Sequence, residues 1–215
     1  MNRLRRMQAL IFDMDGVLWD SNAIHQRAFQ AVLEPLGVTV PLYDKLAGMR
    51  TDEAISLVLR QAGIPHDSNE IHRLTALKRD QARRLLQLDP PLKPRCREVL
   101  TELATRYQLA LASSASRGSV DLFLQASQTH SLFRHIISGD EVSVAKPAPD
   151  IYIMALQRLG VRPDDAYVIE DSENGIAAAQ AAGISVLVFR NPGTQIVAGQ
   201  QIAAVIDSLD ELMVL

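Results

Sequence analysis

The stretch Ala9-Leu-Ile-Phe-Asp13-Met-Asp15-Gly16-Val-Leu18 joins four consecutive apolar residues to two acids and a glycine. A run that short, flanked by a turn signal, predicts a strand buried on both faces. The acids then fall at its carboxyl end, where open parallel sheets bind their ligands. Similar runs at Leu109-Ala-Leu-Ala112, His135-Ile-Ile-Ser138, Ala166-Tyr-Val-Ile169, Val186-Leu-Val-Phe189 and Ala203-Ala-Val-Ile206 predict five more strands. Helical spacing covers Arg95 to Tyr107, Ser119 to Ala126, Asp150 to Leu159 and Glu173 to Ala182 between them. Strands alternating with helices, without tight hairpins, predict an α/β fold with a parallel, Rossmann-like sheet. Gly183 is placed to end one helix, and Ser208-Leu-Asp-Glu211 reads as a capping box opening the last.

From about Asp20 to Asp89 the alternation breaks off. Helical patterning appears at Ile24/Ala28/Ala31/Leu36, at Ala54/Val58/Ala62 and from Ile71 through Leu88, with no strand between. The proline-rich joint Asp89-Pro-Pro-Leu-Lys-Pro94 then returns the chain to the α/β pattern. The expected organisation is a catalytic core from residues 1–19 and 90–215, carrying an all-helical cap over residues 20–89. The joints are expected near Trp19–Asn22 and Leu88–Pro94.

Composition narrows the function. The 215 residues are 47% hydrophobic and 22% charged, with a net charge of −3, an ordinary globular balance. No global basic field draws such a chain to nucleic acid or an anionic membrane. Cys96 is the only cysteine, which excludes an internal disulfide and cysteine-based metal clusters. The basic start Met1-Asn-Arg-Leu-Arg-Arg6 precedes an apolar run that Asp13 cuts off, too short for a targeting or membrane segment. A cytoplasmic protein is the expectation, and a small phosphorylated metabolite as substrate would have to be held by a few local cations.

Four predicted strand ends carry the chemistry: Asp13 and Asp15, then Ser113-Ser114, then Lys146 in Ala145-Lys-Pro-Ala-Pro149, then Glu170-Asp171. A sheet that gathers them brings together four acids, hydroxyls and one lysine. Phosphoryl transfer needs that set. A carboxylate attacks phosphorus to give an acyl phosphate, and a second carboxyl group moves the proton. Clustered acids around a phosphate require a hard cation, and oxygen-only ligands favour Mg²⁺. A hydroxyl and an ammonium hold the remaining phosphoryl oxygens.

These residues resemble the motifs of the haloacid dehalogenase-like superfamily. Asp13-x-Asp15-Gly16-Val-Leu18, Ser113 after a strand, Lys146 before Pro147, and Glu170-Asp171-Ser172 with Gly175 occur in that order. The helical segment sits where one subgroup, the phosphatases and β-phosphoglucomutases, places its cap. The resemblance implies Asp13 as nucleophile and Asp15 as general acid and base. It implies phosphate binding by Ser113, with Ser114 as competitor, and by Lys146. It further implies a Mg²⁺ site from Asp13, the Asp15 carbonyl, Glu170 and Asp171. His25 and Lys78 fall where the β-phosphoglucomutases carry functional residues and are expected to bind substrate, whereas Arg79 reads as a charge on a solvated face. Gly48-Met-Arg-Thr51 takes the place of the specificity loop, with Arg50 one position earlier than the usual arginine. Gly175 reads as a close-packing residue and Cys96 as a bystander.

Asp15 argues against a dehalogenase, because halide departs without a proton. A phosphonate hydrolase needs a Schiff-base lysine in the cap, and nothing singles one out above Lys78. A non-catalytic binding protein would not need the complete acidic set. A phosphatase is expected first, and a β-phosphoglucomutase-like sugar phosphomutase is the alternative.

Overall fold

The computed structural model describes residues 7–192, 194 and 201–214. The basic start at residues 1–6 lies outside them. Six strands form one all-parallel sheet: β1 (Ala9–Phe12), β2 (Gln108–Ala112), β3 (His135–Ile137), β4 (Ala166–Glu170), β5 (Ser185–Phe189) and β6 (Ile202–Ile206). Their order is β3-β2-β1-β4-β5-β6. The chain therefore grows one way from β1, then restarts on its other side at β4. That switch opens a crevice at the carboxyl ends of β1 and β4, where such sheets place their ligands.

Alternate residues of each strand feed opposite layers. Leu10, Phe12, Leu109 and Leu111 pack with α4 (Cys96–Ala104), α5 (Arg117–Ser127) and the chain's end. Ala9, Ile11, Ala110 and Ala112 pack on the other face with α6 (Asp150–Leu159) and α7 (Glu173–Ala181). Ala9-Leu-Ile-Phe12 is fully buried throughout, which is why no alternation marks it in the sequence.

Between β1 and α4 lie only helices: α1 (Asn22–Leu33), α2 (Thr51–Gln61), α3 (Ser68–Leu88) and two 3₁₀ turns. They bury a separate apolar cluster of Phe29, Leu33, Val38, Leu46, Ile55, Val58, Leu59 and Leu74. The two chain segments leading into and out of this layer run side by side. Asp20 N–H donates to the Pro91 carbonyl and Lys93 N–H to that of Leu18.

Three local expectations are corrected. The buried stripe of α1 is His25, Ala28, Phe29 and Leu33, while Ala31 and Leu36 are exposed. A 3₁₀ turn containing Pro35 (Glu34–Leu36) follows Leu33 and Gly37 adopts φ 77°, so Leu36 never joins the helix face. Ala62 is likewise exposed, because α2 ends at Gln61 with left-handed Gly63 close behind. The last helix is 3₁₀ (Leu209–Val214), although Glu211 does reach back to the Ser208 N–H at 3.0 Å as a capping-box acid should. No helix among the described residues is long and apolar enough to cross a membrane.

Candidate active site

Parallel register sets the first pair. Phe12 is level with Ile169, so the next residues, Asp13 and Glu170, stand side by side at the switch point. Lys146 arrives from the loop before α6, through a cis Lys146–Pro147 bond, and bridges them. Its Nζ lies 2.5 Å from Asp13 Oδ1 and 2.7 Å from Glu170 Oε1, and it also donates to the Ala112 carbonyl at 3.3 Å. All three side chains are buried. Burial raises the Asp13 carboxyl well above its usual range, and neighbouring Glu170 and Asp171 add to this against the pull of Lys146.

Glu170 is saturated with donors. Oε1 accepts from Lys146 and from the Tyr152 hydroxyl at 2.9 Å. Oε2 accepts from the Asp171 and Ser172 N–H groups and the Ser172 hydroxyl. The opening turn of α7 is thus wrapped around one carboxylate, and Ser172 also caps that helix by accepting from Gly175 N–H. Burial opposes the charge, but Lys146 and these donors hold Glu170 below the usual carboxylate range. Gly175 is the packing residue expected, and what it packs against is this carboxylate: a Cβ there would sit 1.7 Å from Oε1.

Asp171 projects beside Asp13. It accepts from Asn191 Nδ2 at 2.9 Å, with Asn22 as a second donor. Burial first, then the Glu170 charge, push its carboxyl up to about 7. Carboxylate oxygens of Asp13, Glu170 and Asp171 lie within 4.8 Å of one another. Three buried acids so crowded, two with raised pKa values, form the oxygen-only donor set that a hard divalent cation fits. Left-handed Gly16, φ 86°, passes so close that a Cβ would meet Asp171 Oδ2 at 2.0 Å.

Asp15 turns toward the helical layer. Its Oδ1 accepts from the Ser21 hydroxyl at 2.5 Å and lies 3.0 Å from His25 Nε2. Lys78 Nζ stands 3.0 Å from His25 Nδ1 and 4.4 Å from the centre of the Phe29 ring. The lysine ammonium can only donate, which makes Nδ1 the acceptor and leaves Nε2–H to donate to Asp15. Burial lowers Lys78 to about 8; burial and the lysine charge lower His25. Burial would raise Asp15, yet the donors His25 and Ser21 bring it below its ordinary value.

The two serines separate. Ser113 is buried and its hydroxyl accepts from the Ala115 N–H at 3.1 Å. Ser114 Oγ instead donates across to the Gly48 carbonyl at 2.7 Å. Asn174 does the same for the Ala47 carbonyl at 2.8 Å. Asp13, Asp15, His25, Lys78, Ser113 and Ser114 all line one cavity. Its volume is only about 40 Å³, room for a few water-sized groups. Arg50 does not line it; its Nε and Nη2 donate to the two Asp52 carboxylate oxygens at 2.8 Å.

Several site residues escape a reading of the sequence. Tyr152 sits on an amphipathic helix and reads as core. Ser21 is one polar residue in a joint. Asn191 had a usable signal, a polar residue just past the end of β5.

The chain is similar to known proteins in sequence and fold. A family model described as haloacid dehalogenase-like hydrolase covers residues 10–189. A probable pseudouridine-5'-phosphatase of Drosophila melanogaster is 32% identical over 198 residues, 88% of this chain and 84% of that one. A phosphorylated carbohydrates phosphatase of Thermotoga maritima is 32% identical over 181 residues, 83% of this chain and 82% of its own. Among solved structures, CbbY from Rhodobacter sphaeroides in complex with xylulose-(1,5)bisphosphate is 30% identical, with TM-score 0.82 over 96% of both chains. A β-phosphoglucomutase from Clostridium difficile shares the fold at TM-score 0.84, 22% identity, 96% of this chain and 93% of its own.

Proposed function

The chain belongs to the haloacid dehalogenase-like hydrolase family and is a phosphoric monoester hydrolase, and we propose that it cleaves small phosphorylated metabolites through a covalent phosphate on Asp13. The observation that carries this reading is the Lys146 bridge, 2.5 Å from Asp13 and 2.7 Å from Glu170 at the switch point of the sheet. It fixes one Asp13 oxygen and leaves the other to attack.

In the first half of the reaction an Asp13 oxygen bonds to phosphorus and the ester bond to the alcohol breaks. The departing oxygen takes a proton carried by Asp15. In the second half water attacks phosphorus, its proton returns to Asp15, and the acyl–phosphate bond breaks to release phosphate. Ser21 and His25 favour the ionised form of Asp15, the form that accepts the water's proton. Lys78 acts through His25. Ser113 and Lys146 hold the phosphoryl oxygens.

Mg²⁺ is the ion that suits this donor set; when bound it supplies charge neutralisation between the acids and the phosphate. Asp13, the Asp15 carbonyl and Asp171 would hold it directly. Glu170, with five hydrogen bonds already accepted, would act from behind by fixing Lys146 and α7. Residues 20–89 are read as a cap over a core of residues 1–19 and 90–215. A cytoplasmic setting suits the lone buried Cys96, whose thiol burial pushes up to about 12.

The phosphomutase alternative draws support from the Lys78–His25–Asp15 chain, which would also serve a second transfer to a sugar. It additionally requires a firm grip on a second phosphate, and Arg50 is folded onto Asp52. Incubation with phosphorylated sugars, alcohols and nucleotides, with Mg²⁺ and then EDTA, tests the proposal. Phosphate release that stops with EDTA is expected. Isomerisation of glucose 1-phosphate with little free phosphate would overturn it in favour of the mutase.

A further inference from the structure

Among the described residues, three cations around the site are already engaged. Lys146 is bound to Asp13 and Glu170, Lys78 to His25 and Arg50 to Asp52. Arg79, one residue beyond Lys78 on α3, lines the same cavity. Its Nε is buried and has no hydrogen-bond partner. Its outer nitrogen makes only a long contact, 3.5 Å, with Asp140, where the two side chains are 33% and 44% exposed. An ion pair so exposed holds its arginine weakly.

Thr75 lies one turn earlier on α3 and is 7% exposed. Its hydroxyl is also buried without a partner. Residues four apart share a helix face, so one face of α3 carries two buried polar atoms without partners. Arg79 and Met49 line both the small cavity and an outer groove of about 850 Å³ between α2 and α3, and Thr75 lines that groove. The cavity has room for little beyond a phosphoryl group. Arg79 and Met49, which line both, mark a route by which the rest of a substrate reaches the groove.

With Asp13 as the nucleophile, as proposed above, we propose that Arg79 and Thr75 recognise an anionic group at the non-reacting end of the substrate, which extends from the small cavity into the α2–α3 groove. A carboxylate or a second phosphate fits: each accepts from Nε–H and from a hydroxyl together, and the planar guanidinium is suited to either. The two unpaired atoms then gain the partners that burial demands. Uncharged sugar or alcohol tails satisfy them less well.

The test is a selectivity ratio. kcat/KM is measured with Mg²⁺ for a hexose 1,6-bisphosphate, for phosphoglycolate and for a ketose 1-phosphate with an uncharged tail. The ratio of each anionic-tailed substrate to the uncharged one is compared between wild type and Arg79→Met. A fall of at least about tenfold, carried mainly by KM, is expected for loss of a charge-assisted contact. The bisphosphate and phosphoglycolate arms show whether phosphate or carboxylate is the natural group. If Arg79→Met folds poorly, Thr75→Val reads the same ratio, with a smaller fall. A ratio that holds in both variants overturns the assignment. Absence of hydrolysis of all three substrates by wild type would instead overturn the phosphatase reading.

Discussion

The backbone of Gly175 lies so close to the Glu170 carboxylate that a methyl group at that position would sit 1.7 Å from Oε1 and 2.5 Å from Oε2. Helix α7 can therefore begin where it does only because residue 175 has no side chain. Glu170 cannot retreat, since five donors from Lys146, Tyr152 and the start of α7 hold it. Gly175→Ala should displace the carboxylate and with it Lys146. Stability should fall by about 2 kcal/mol, the scale of overpacking in a filled core. Turnover should fall further than stability explains. Thermal unfolding and steady-state rates on one preparation check both.

Asp13→Asn keeps the shape of the proposed nucleophile and removes its charge. Turnover should fall at least about a thousandfold, because no acyl phosphate forms. The fold should persist, since burial already strains the Asp13 charge. Circular dichroism and phosphate release test the pair. A folded variant with substantial activity would remove Asp13 from its role.

Asp171→Asn and Glu170→Gln should differ in kind. Loss of Asp171, beside Asp13 with few donors of its own, should weaken Mg²⁺ binding, and excess Mg²⁺ should restore part of the rate. Glu170→Gln should cost more stability and alter Mg²⁺ affinity less, because its oxygens are occupied by hydrogen bonds within the protein. Calorimetric titration of each folded variant with Mg²⁺ compares them; a greater loss of affinity in Glu170→Gln would make Glu170 a direct ligand.

Lys78→Met gives a pH signature. The buried ammonium titrates at about 8, against 10.5 for a free lysine. Below pH 8 both folded and unfolded chains carry the proton, and the folded state bears the full cost of burying the charge. Between 8 and 10.5 the unfolded chain binds more protons, so wild-type stability rises with pH; above 10.5 the cost is gone. The stability advantage of Lys78→Met over wild type should therefore shrink by about 3 kcal/mol across that window. Denaturant unfolding at pH 7 and pH 10 measures it. Activity should fall in the variant, since His25 then lacks the donor that orders it toward Asp15. An advantage that stays constant with pH would show that Lys78 is not buried as an ammonium.

Most of the sheet was legible because its strands are short and buried on both faces. Ala9 to Phe12 was read to the residue, and the other strands within one residue at either end. The strand-end acids, Ser113 and Lys146 could be found because polar residues directly after apolar runs are conspicuous. Arg79 could not, because on a helix spaced every 3.6 residues a charge beside other charges looks solvated until the neighbouring layer is known. Tyr152 failed for the opposite reason: its ring belongs to the core, and only its hydroxyl reaches Glu170. The stripe of α1 was misplaced by the turn at Pro35, which moves Leu36 off the helix.

The two carbonyls gripped by Asn174 and Ser114 bear on protein engineering. Ala47 and Gly48 belong to the helical layer, whereas their donors belong to the sheet's side of the site, Ser114 next to Ser113 and Asn174 two residues beyond Ser172. Gly48 also passes where a Cβ would meet Ser172 Oγ at 2.5 Å. A chimera that exchanges residues 20–89 needs a loop that still offers these two carbonyls to Ser114 and Asn174. Unless positions 114, 172 and 174 are exchanged with it, the new loop would disturb the catalytic floor it was meant only to cover. Any transplant of the helical layer crosses this seam, and both sides of the stitch have to move at once.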